Sequence, residues 1–434
     1  MAHRSTALKV LILTYGSRGD VQPYIALGKG LVQAGHQVTL ATSVRFESQV
    51  EQHGLKYGYM NDELLGILDT DRGRDLMENT TDIFQVIKQT LTMVKRLGPM
   101  QRSLFQDGWE AAKQAQPDLI IFHPKAYGGP DYAERIGARA ILGLVIPMLV
   151  PTAERPHMGF PQLNLGGWYN RLTYKVVSAI MAFSGARYSR EWRAQNGLPK
   201  LRSFDLLLQP DGSPRPVLCG YSRHVVPPPS DWTNNIQTTG YWFLDQAPEW
   251  TPSPELKEFL ESGPPPVYVG FGSMAGRHPE RLARVVVRSL EETGHRGIIA
   301  TGWGGLKAQD LPPTILQISQ APHSWLFPRM AAIVHHGGAG TTAAALRSGR
   351  PSVVVPFFGD QPYWGSRLQE LGVAPAPIPQ KKLNPSNLSR ALNQALSDDQ
   401  IRSRAERLGE EIRAEKGVTS AVHFVERLAS QGHS

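Results

Sequence analysis

Apolar and polar positions along the chain fall into blocks that occur twice. Leu8-Lys9-Val10-Leu11-Ile12-Leu13-Thr14 is an apolar run too short for a helix and closed by Gly16, which predicts a buried strand. Tyr15 to Gln22 reads as a glycine-containing loop and Pro23 as a first-turn helical residue. Tyr24 to Ala34 reads as a helix that Gly35 ends, and Gln37 to Ala41 as the next strand. That order is a βαβ unit and predicts a parallel sheet. Pro117 to Phe122 and Ala140 to Ile146 add further central strands with a helix between them. Residues 60–110 and 151–210 follow neither period and are richer in Met, Phe, Trp and Tyr. They read either as insertions walling an apolar pocket or as ordinary packing against the first domain.

Asp245 to Pro266 is crowded with proline and polar residues and reads as a linker. The pattern then restarts, with strands at Val267 to Phe271, Gly297 to Thr301 and Ala332 to His335 and a helix at Pro279 to Glu292. The expected organisation is a first domain over 1–244, a linker over 245–266 and a second domain over 267–434, whose last helix is free to pack back on the first. The fold class is α/β, with two Rossmann-like domains whose parallel sheets face an interdomain cleft. In such sheets ligands bind beyond the carboxyl ends of the strands.

Composition narrows the class. With 434 residues, 41% hydrophobic and 19% charged, the chain can bury two cores. The net charge is +8, but Lys and Arg are scattered rather than clustered with aromatics, which argues against nucleic acid. Cys219 is the only cysteine, so an intramolecular disulfide is excluded. Neither a signal core nor an apolar run of membrane-spanning length occurs. The expectation is a soluble, cytoplasmic protein, with peripheral membrane contact and oligomeric state left open.

Three loops of the second domain stand at strand ends. Gly270-Phe271-Gly272-Ser273 allows close backbone approach and offers a hydroxyl at Ser273. His336-Gly337-Gly338-Ala339-Gly340-Thr341-Thr342 combines a ring N–H with a small-residue helix start, and a helix N-terminus carries roughly half a positive charge suited to a diphosphate. A plain tight turn is the competing reading. His335, one strand position away, points oppositely and reads as structural. Asp360 and Gln361 set a carboxylate beside an amide, able to bind adjacent sugar hydroxyls; the alternative is a helix cap by Asp360. Asp69-Thr70-Asp71 matches a D-x-D string but lies in a charged stretch more like a solvated helix end, so no metal site is expected.

The first domain offers Gly16-Ser17-Arg18-Gly19-Asp20-Val21-Gln22-Pro23 after its first strand. Arg18 is placed to close on a diphosphate, and Asp20 to accept a proton from a hydroxyl. The rival for Asp20 is a cap on a helix beginning near Gln22. A free aspartate near pKa ~4 is a poor base for an alcohol, and burial in an apolar cleft is expected to raise that value. His36, His53 and His123 flank strands and read as supporting residues at most.

Together these strings resemble the GT-B glycosyltransferases of family 1, and among them the sterol 3β-glucosyltransferases. The resemblance rests on Gly16 to Pro23, Thr239-Gly240-Tyr241-Trp242-Phe243, Trp325-Leu326-Phe327-Pro328, the double-histidine loop and Phe357 to Trp364. It covers nearly the whole chain. It implies inverting transfer of a hexose, glucose first, from a UDP-sugar to a bulky apolar hydroxylated acceptor such as a sterol. UDP-glucose enters as co-substrate and no cofactor is implied. Asp20 stands where many relatives carry a histidine, which gives it the base role, by proton abstraction or by orienting the hydroxyl. Ser17, Arg18, Gly272, Ser273, His336 and the Gly338 to Thr342 helix start would hold the diphosphate, and Asp360 and Gln361 the sugar. Ile318 to Ser324 resembles the loop that reads uracil, through Ser319 and Gln320; Ser324 departs from the usual Asp. Trp303 would stack on the base or cap the pocket. A macrolide, polyketide or flavonoid transferase is the alternative, and a nucleotide-sugar epimerase a more distant one.

Overall fold

A computed structural model describes residues 7–68, 98–245, 250–272, 279–301 and 311–430. The described elements begin with β1 (Lys9–Leu13), α1 (Arg18–Gln33), β2 (Gln37–Ser43), α2 (Glu47–Gln52), β3 (Lys56–Met60), α3 (Glu63–Leu68) and α4 (Gly98–Ala115). They continue with β4 (Leu119–Phe122), α5 (Gly129–Ile136), β5 (Arg139–Leu144), α6 (Gly167–Gln195), β6 (Val217–Cys219) and β7 (Ile236–Thr238). Then come α7 (Pro254–Glu261), β8 (Val267–Gly270), α8 (Pro279–Thr293), β9 (Gly297–Ala300), β10 (Ile315–Ile318), α9 (His323–Leu326) and β11 (Ile333–His335). The chain closes with α10 (Ala339–Ser348), β12 (Ser352–Val354), α11 (Gln361–Glu370), α12 (Pro385–Ser397), α13 (Asp399–Ala414) and α14 (Gly417–Ser430).

Two compact units form. The described residues up to Leu244 join Glu415 to Ser430 in the first; Asp245 to Ala414 make the second. The first unit's sheet has seven parallel strands in the order β3-β2-β1-β4-β5-β6-β7. The second unit's has five, in the order β10-β9-β8-β11-β12, also parallel. Each order reverses once, between β1 and β4 in the first unit and between β8 and β11 in the second. The register sets Leu13 beside Phe122, and Gly270 beside His335. A crevice for ligand opens at such a reversal, because the connections on either side leave toward opposite faces.

The strands are apolar on both faces, as helices covering both sides require. Leu11, Ile12, Ile120, Ile121 and Phe122 are fully buried in the first sheet. On one side α1 contributes Val21, Tyr24, Ile25 and Leu27, and α14 joins the same cluster through Val422, Phe424 and Val425. Burying each such side chain stabilises by about 1.5–3 kcal/mol. The return of the chain is fixed at its start: Glu415 accepts hydrogen bonds from Ser222 Oγ at 3.0 Å and Arg223 N at 3.2 Å. Gly417 allows the approach, since a Cβ there would lie 2.3 Å from the Tyr241 carbonyl oxygen.

Several local expectations change. α1 begins at Arg18, not near Tyr24, and carries Pro23 inside it. The stretch read as irregular insertion contains the 29-residue α6. Its outward side carries apolar residues, so no clean polar face marks it as a helix in the sequence. The proline-rich stretch after Asp245 contains α7, capped by Ser253 Oγ accepting from Leu256 N at 3.3 Å and buried through Leu256. The Thr239 to Phe243 string is a packing device: Trp242 Nε1 donates to Thr239 Oγ1 at 2.9 Å and its ring meets Tyr24 edge-on. Trp325 similarly packs on Trp250, and Phe327 is fully buried.

Candidate active site

The first half-site is built on the β1–α1 turn. Gly16 has φ +141°, and a Cβ there would stand 2.3 Å from Asp20 Oδ2, so only glycine leaves room for the carboxylate. Ser17 caps α1, and Asp20, in its first turn, reaches back: Oδ2 accepts from Ser17 N at 2.7 Å and from Ser17 Oγ at 2.9 Å. The same oxygen accepts from Lys125 Nζ at 2.9 Å. His123 Nε2 stands 3.5 Å from Oδ1. His123 and Lys125 follow β4, the strand across the reversal from β1. Lys125 N donates to His123 Nδ1 at 3.1 Å, so the neutral imidazole carries its proton on Nε2, facing Asp20. Burial against Tyr24 pushes the His123 pKa down to about 4, despite the opposing pull of Asp20.

Asp20 itself goes against expectation. Burial is the largest influence and raises its pKa, but Lys125, His123 and the Ser17 hydrogen bond outweigh it, and the net shift is downward. A cap on a helix beginning near Gln22 does not form: the helix starts at Arg18 with Ser17 at its cap, and Asp20, in the first turn, turns its carboxylate back to the Ser17 N–H. Asp20 keeps 17% of its side chain exposed. It is therefore an ionised, oriented acceptor of hydrogen bonds that a hydroxyl can still reach. Ser17 spends its hydroxyl on Asp20, and Arg18 is exposed at the first helical position.

The second half-site lies at the β8–β11 reversal. Gly272 has φ +60°, and its Cβ position is 3.7 Å from His336 Cε1. A Cβ on Gly338 would lie 2.4 Å from His336 Nε2. The imidazole thus rests between the β8 loop and the start of α10. Burial lowers its pKa to about 4, so at neutral pH it offers an N–H without charge, and its buried Nδ1 has no hydrogen-bond partner among the described residues. Gly337 has φ +88°, and a Cβ there would meet Val354 Cγ1 at 2.8 Å and Gln361 O at 3.0 Å. Thr342 N bonds Gly338 O at 2.9 Å, so the N–H groups of Ala339, Gly340 and Thr341 precede the first intrahelical bond.

Thr342 corrects the sequence reading: its side chain is fully buried and its N–H is used within the helix, so it is not a surface donor. Gln361 is 5% exposed, and its Oε1 accepts from Phe357 N at 2.8 Å and Phe358 N at 3.3 Å, which leaves the amide NH2 as its donor. Asp360 occupies the cap position of α11 without a side-chain cap bond; its Oδ2 instead accepts from Trp364 Nε1 at 2.8 Å. Ser319 and Gln320 are exposed at the carboxyl end of β10. Asp69 to Asp75, Ser273 and Trp303 lie outside the described residues.

Residues 10–114 match the model of the glycosyltransferase family 28 N-terminal domain, and residues 287–428 that of the erythromycin biosynthesis protein CIII-like C-terminal domain. Among solved structures, a glycotransferase of kitacinnamycin superposes with a TM-score of 0.72 at 21% identity, covering 98% of this chain and 99% of that one. The glycosyltransferase VinC, in complex with dTDP, gives 0.69 at 21% identity, covering 98% and 100%. These fix the fold as GT-B. A sterol 3-beta-glucosyltransferase of Emericella nidulans is 37% identical over 97% of this chain, which spans 30% of that relative's length. One of Arabidopsis thaliana is 36% identical over 97% of this chain and 68% of its own length. The chain belongs to the sterol 3-beta-glucosyltransferase family.

In this family member the structure brings Ser17, Arg18 and Asp20 to one reversal, and Gly272, His336 and the α10 start to the other. His123, a supporting residue at most in the sequence, and Lys125, which nothing in the sequence singled out, both meet Asp20. Their only signal is position after the fourth strand, and it acquires meaning once strand order places that strand beside β1. Trp364, which closes the Phe357 to Trp364 string, orients Asp360, a role that string did not disclose. His36 accepts from Leu8 N at 3.3 Å and stands 3.5 Å from Glu426 Oε1, His53 contacts Gln49 O at 2.8 Å, and neither takes part in a half-site.

Proposed function

We propose that the protein transfers glucose from UDP-glucose to the hydroxyl of a bulky apolar acceptor, the 3β-hydroxyl of a sterol, with inversion at C1. The observation that carries the reading is Asp20: a carboxylate held ionised by Lys125, His123 and Ser17 at the β1–β4 reversal of a chain 36% identical to a sterol 3-beta-glucosyltransferase over 97% of its length. Such a carboxylate is a weak base toward a resting alcohol. The hydroxyl proton becomes acidic as its oxygen bonds to C1, and a fixed carboxylate is then positioned to accept it. The C1–O bond to the acceptor forms as the C1–O bond to the diphosphate breaks, and UDP leaves. The free N–H groups at the α10 start and the neutral His336 imidazole stabilise the departing charge by preorganised hydrogen bonds. Asp360 and the Gln361 amide hold the sugar, and Ser319 and Gln320 the base. Arg18, exposed at the first helical position, is the cation assigned to the diphosphate. The first unit holds the acceptor, and peripheral contact with a membrane suits an acceptor of that kind.

The test is UDP release from UDP-glucose with and without cholesterol or a plant sterol, with the product identified by mass. Sterol-dependent release and a steryl glucoside are expected. Conversion of the UDP-sugar with no acceptor present would show an epimerase instead, and release only with a macrolide or flavonoid would replace the acceptor class.

A further inference from the structure

Helix α6 presents an outward stripe that belongs to neither half-site. Trp168, Leu172, Lys175, Ala179, Phe183 and Arg190 follow helical spacing and share one side of the helix. Trp168 is 67% exposed, Phe183 60% and Leu172 46%, an unusual cost for the largest apolar side chains of a helix. The preceding loop extends the surface with Leu163 and Leu165, both about half exposed, and Tyr169 Oη ties that loop to the helix by donating to Pro161 O at 2.9 Å. Charge runs one way: between Glu154 and Glu191 the sequence has five Lys or Arg and no carboxylate. Of these cations, Arg171 pairs with Asp231 and Arg187 with Glu191; Lys175 and Arg190 are exposed on the stripe.

We infer that this stripe and the 161–166 loop form a docking surface for an anionic lipid bilayer, α6 lying in the interface with its aromatic and leucyl side chains among the acyl chains. The arrangement favours lipid over a protein partner. The exposed apolar side chains share the face with the exposed cations Lys175 and Arg190, and no carboxylate lies between Glu154 and Glu191. Long basic side chains can keep their heads at the phosphate level while Trp and Phe enter the boundary. Among the described residues no helix is long and apolar enough to cross a membrane, so attachment through this face is peripheral. The inference deepens the reading of an apolar acceptor, which such a surface would reach where it is dissolved, but the surface itself stands without that reading.

Flotation of the full chain with sterol-free vesicles separates the two. The protein is expected to float with phosphatidylcholine vesicles containing phosphatidylglycerol, to float far less with phosphatidylcholine alone, and to release as salt rises. Trp168→Ser with Phe183→Ser should weaken flotation by about tenfold or more, and Lys175→Glu with Arg190→Glu should abolish the preference for anionic lipid. Circular dichroism and UDP binding by these variants should match the parent, since the exposed stripe lies outside both half-sites. Absence of flotation by the parent, or equal flotation by the variants, overturns the proposal. So does a loss of dimer mass in the serine variant by light scattering, which would give the face to a second copy. Flotation without sterol transfer would overturn the catalytic reading and leave this one standing.

Discussion

At the residue scale the account turns on why Asp20 stays ionised. Burial alone would raise its pKa; Lys125, His123 and Ser17 bring it down. Lys125→Met should therefore move the acid limb of kcat/KM to higher pH, and an unchanged profile would remove Lys125 from the site. Asp20→Asn keeps the shape but loses the charge, and should lower kcat by roughly 10²–10⁴-fold. Gly16→Ala places a methyl 2.3 Å from the carboxylate at a φ that L-residues avoid; thermal unfolding should show a loss of about 1–3 kcal/mol together with impaired transfer. The place of Asp20, just beyond the first strand, was legible in the sequence. The sign of its pKa shift was not, because the two groups that decide it, His123 and Lys125, are over a hundred residues away in sequence. Only strand order joins them.

At the element scale, the half-site proposed for the donor depends on how α10 begins. Its glycines serve different needs: Gly337 supplies φ +88°, and Gly338 leaves space for the His336 ring. His336→Ala removes one hydrogen bond to an anionic ligand, worth about 1.5–3 kcal/mol, so UDP should bind roughly tenfold to a hundredfold more weakly by calorimetry. Unaltered affinity would take His336 out of the diphosphate site. The glycine-rich string and its histidine could be read directly, because backbone chemistry follows from local sequence. Thr342 was misread because a helical turn, not composition, decides which threonine faces inward. The last helix, left free in the sequence to pack back on the first domain, does so as α14, against α1 at the other end of the chain. Truncation before Glu415 should uncover α1 and lower the melting temperature of the first unit.

At the scale of the whole molecule, buried neutral histidines tie stability to pH. His123, His157 and His336 have pKa values lowered to about 4, and His335 to about 3. An unfolded histidine titrates near ~6.5. Below that value the unfolded chain binds protons that the folded one does not, so stability is full above pH ~6.5 and falls as pH drops toward 4. The depressed Asp20 pKa acts in the same direction at lower pH, because its ionised-state stabilisation is lost as pH falls through the folded value. Urea midpoints measured from pH 8 to 4 should decline steeply across the lower half of that range; a flat profile would contradict these burials. Two parallel sheets were legible as repeated strand–helix blocks. Their reversals were not, and it is at the reversals that the half-sites stand.

Sugar transfer and UDP affinity measured together on the same Asp20→Asn protein bear most directly on the division of labour between the units. Steryl glucoside formation is expected to fall by roughly 10²–10⁴-fold while UDP binds as in the parent. Transfer at the parent rate, or UDP affinity lost in step with transfer, would contradict it.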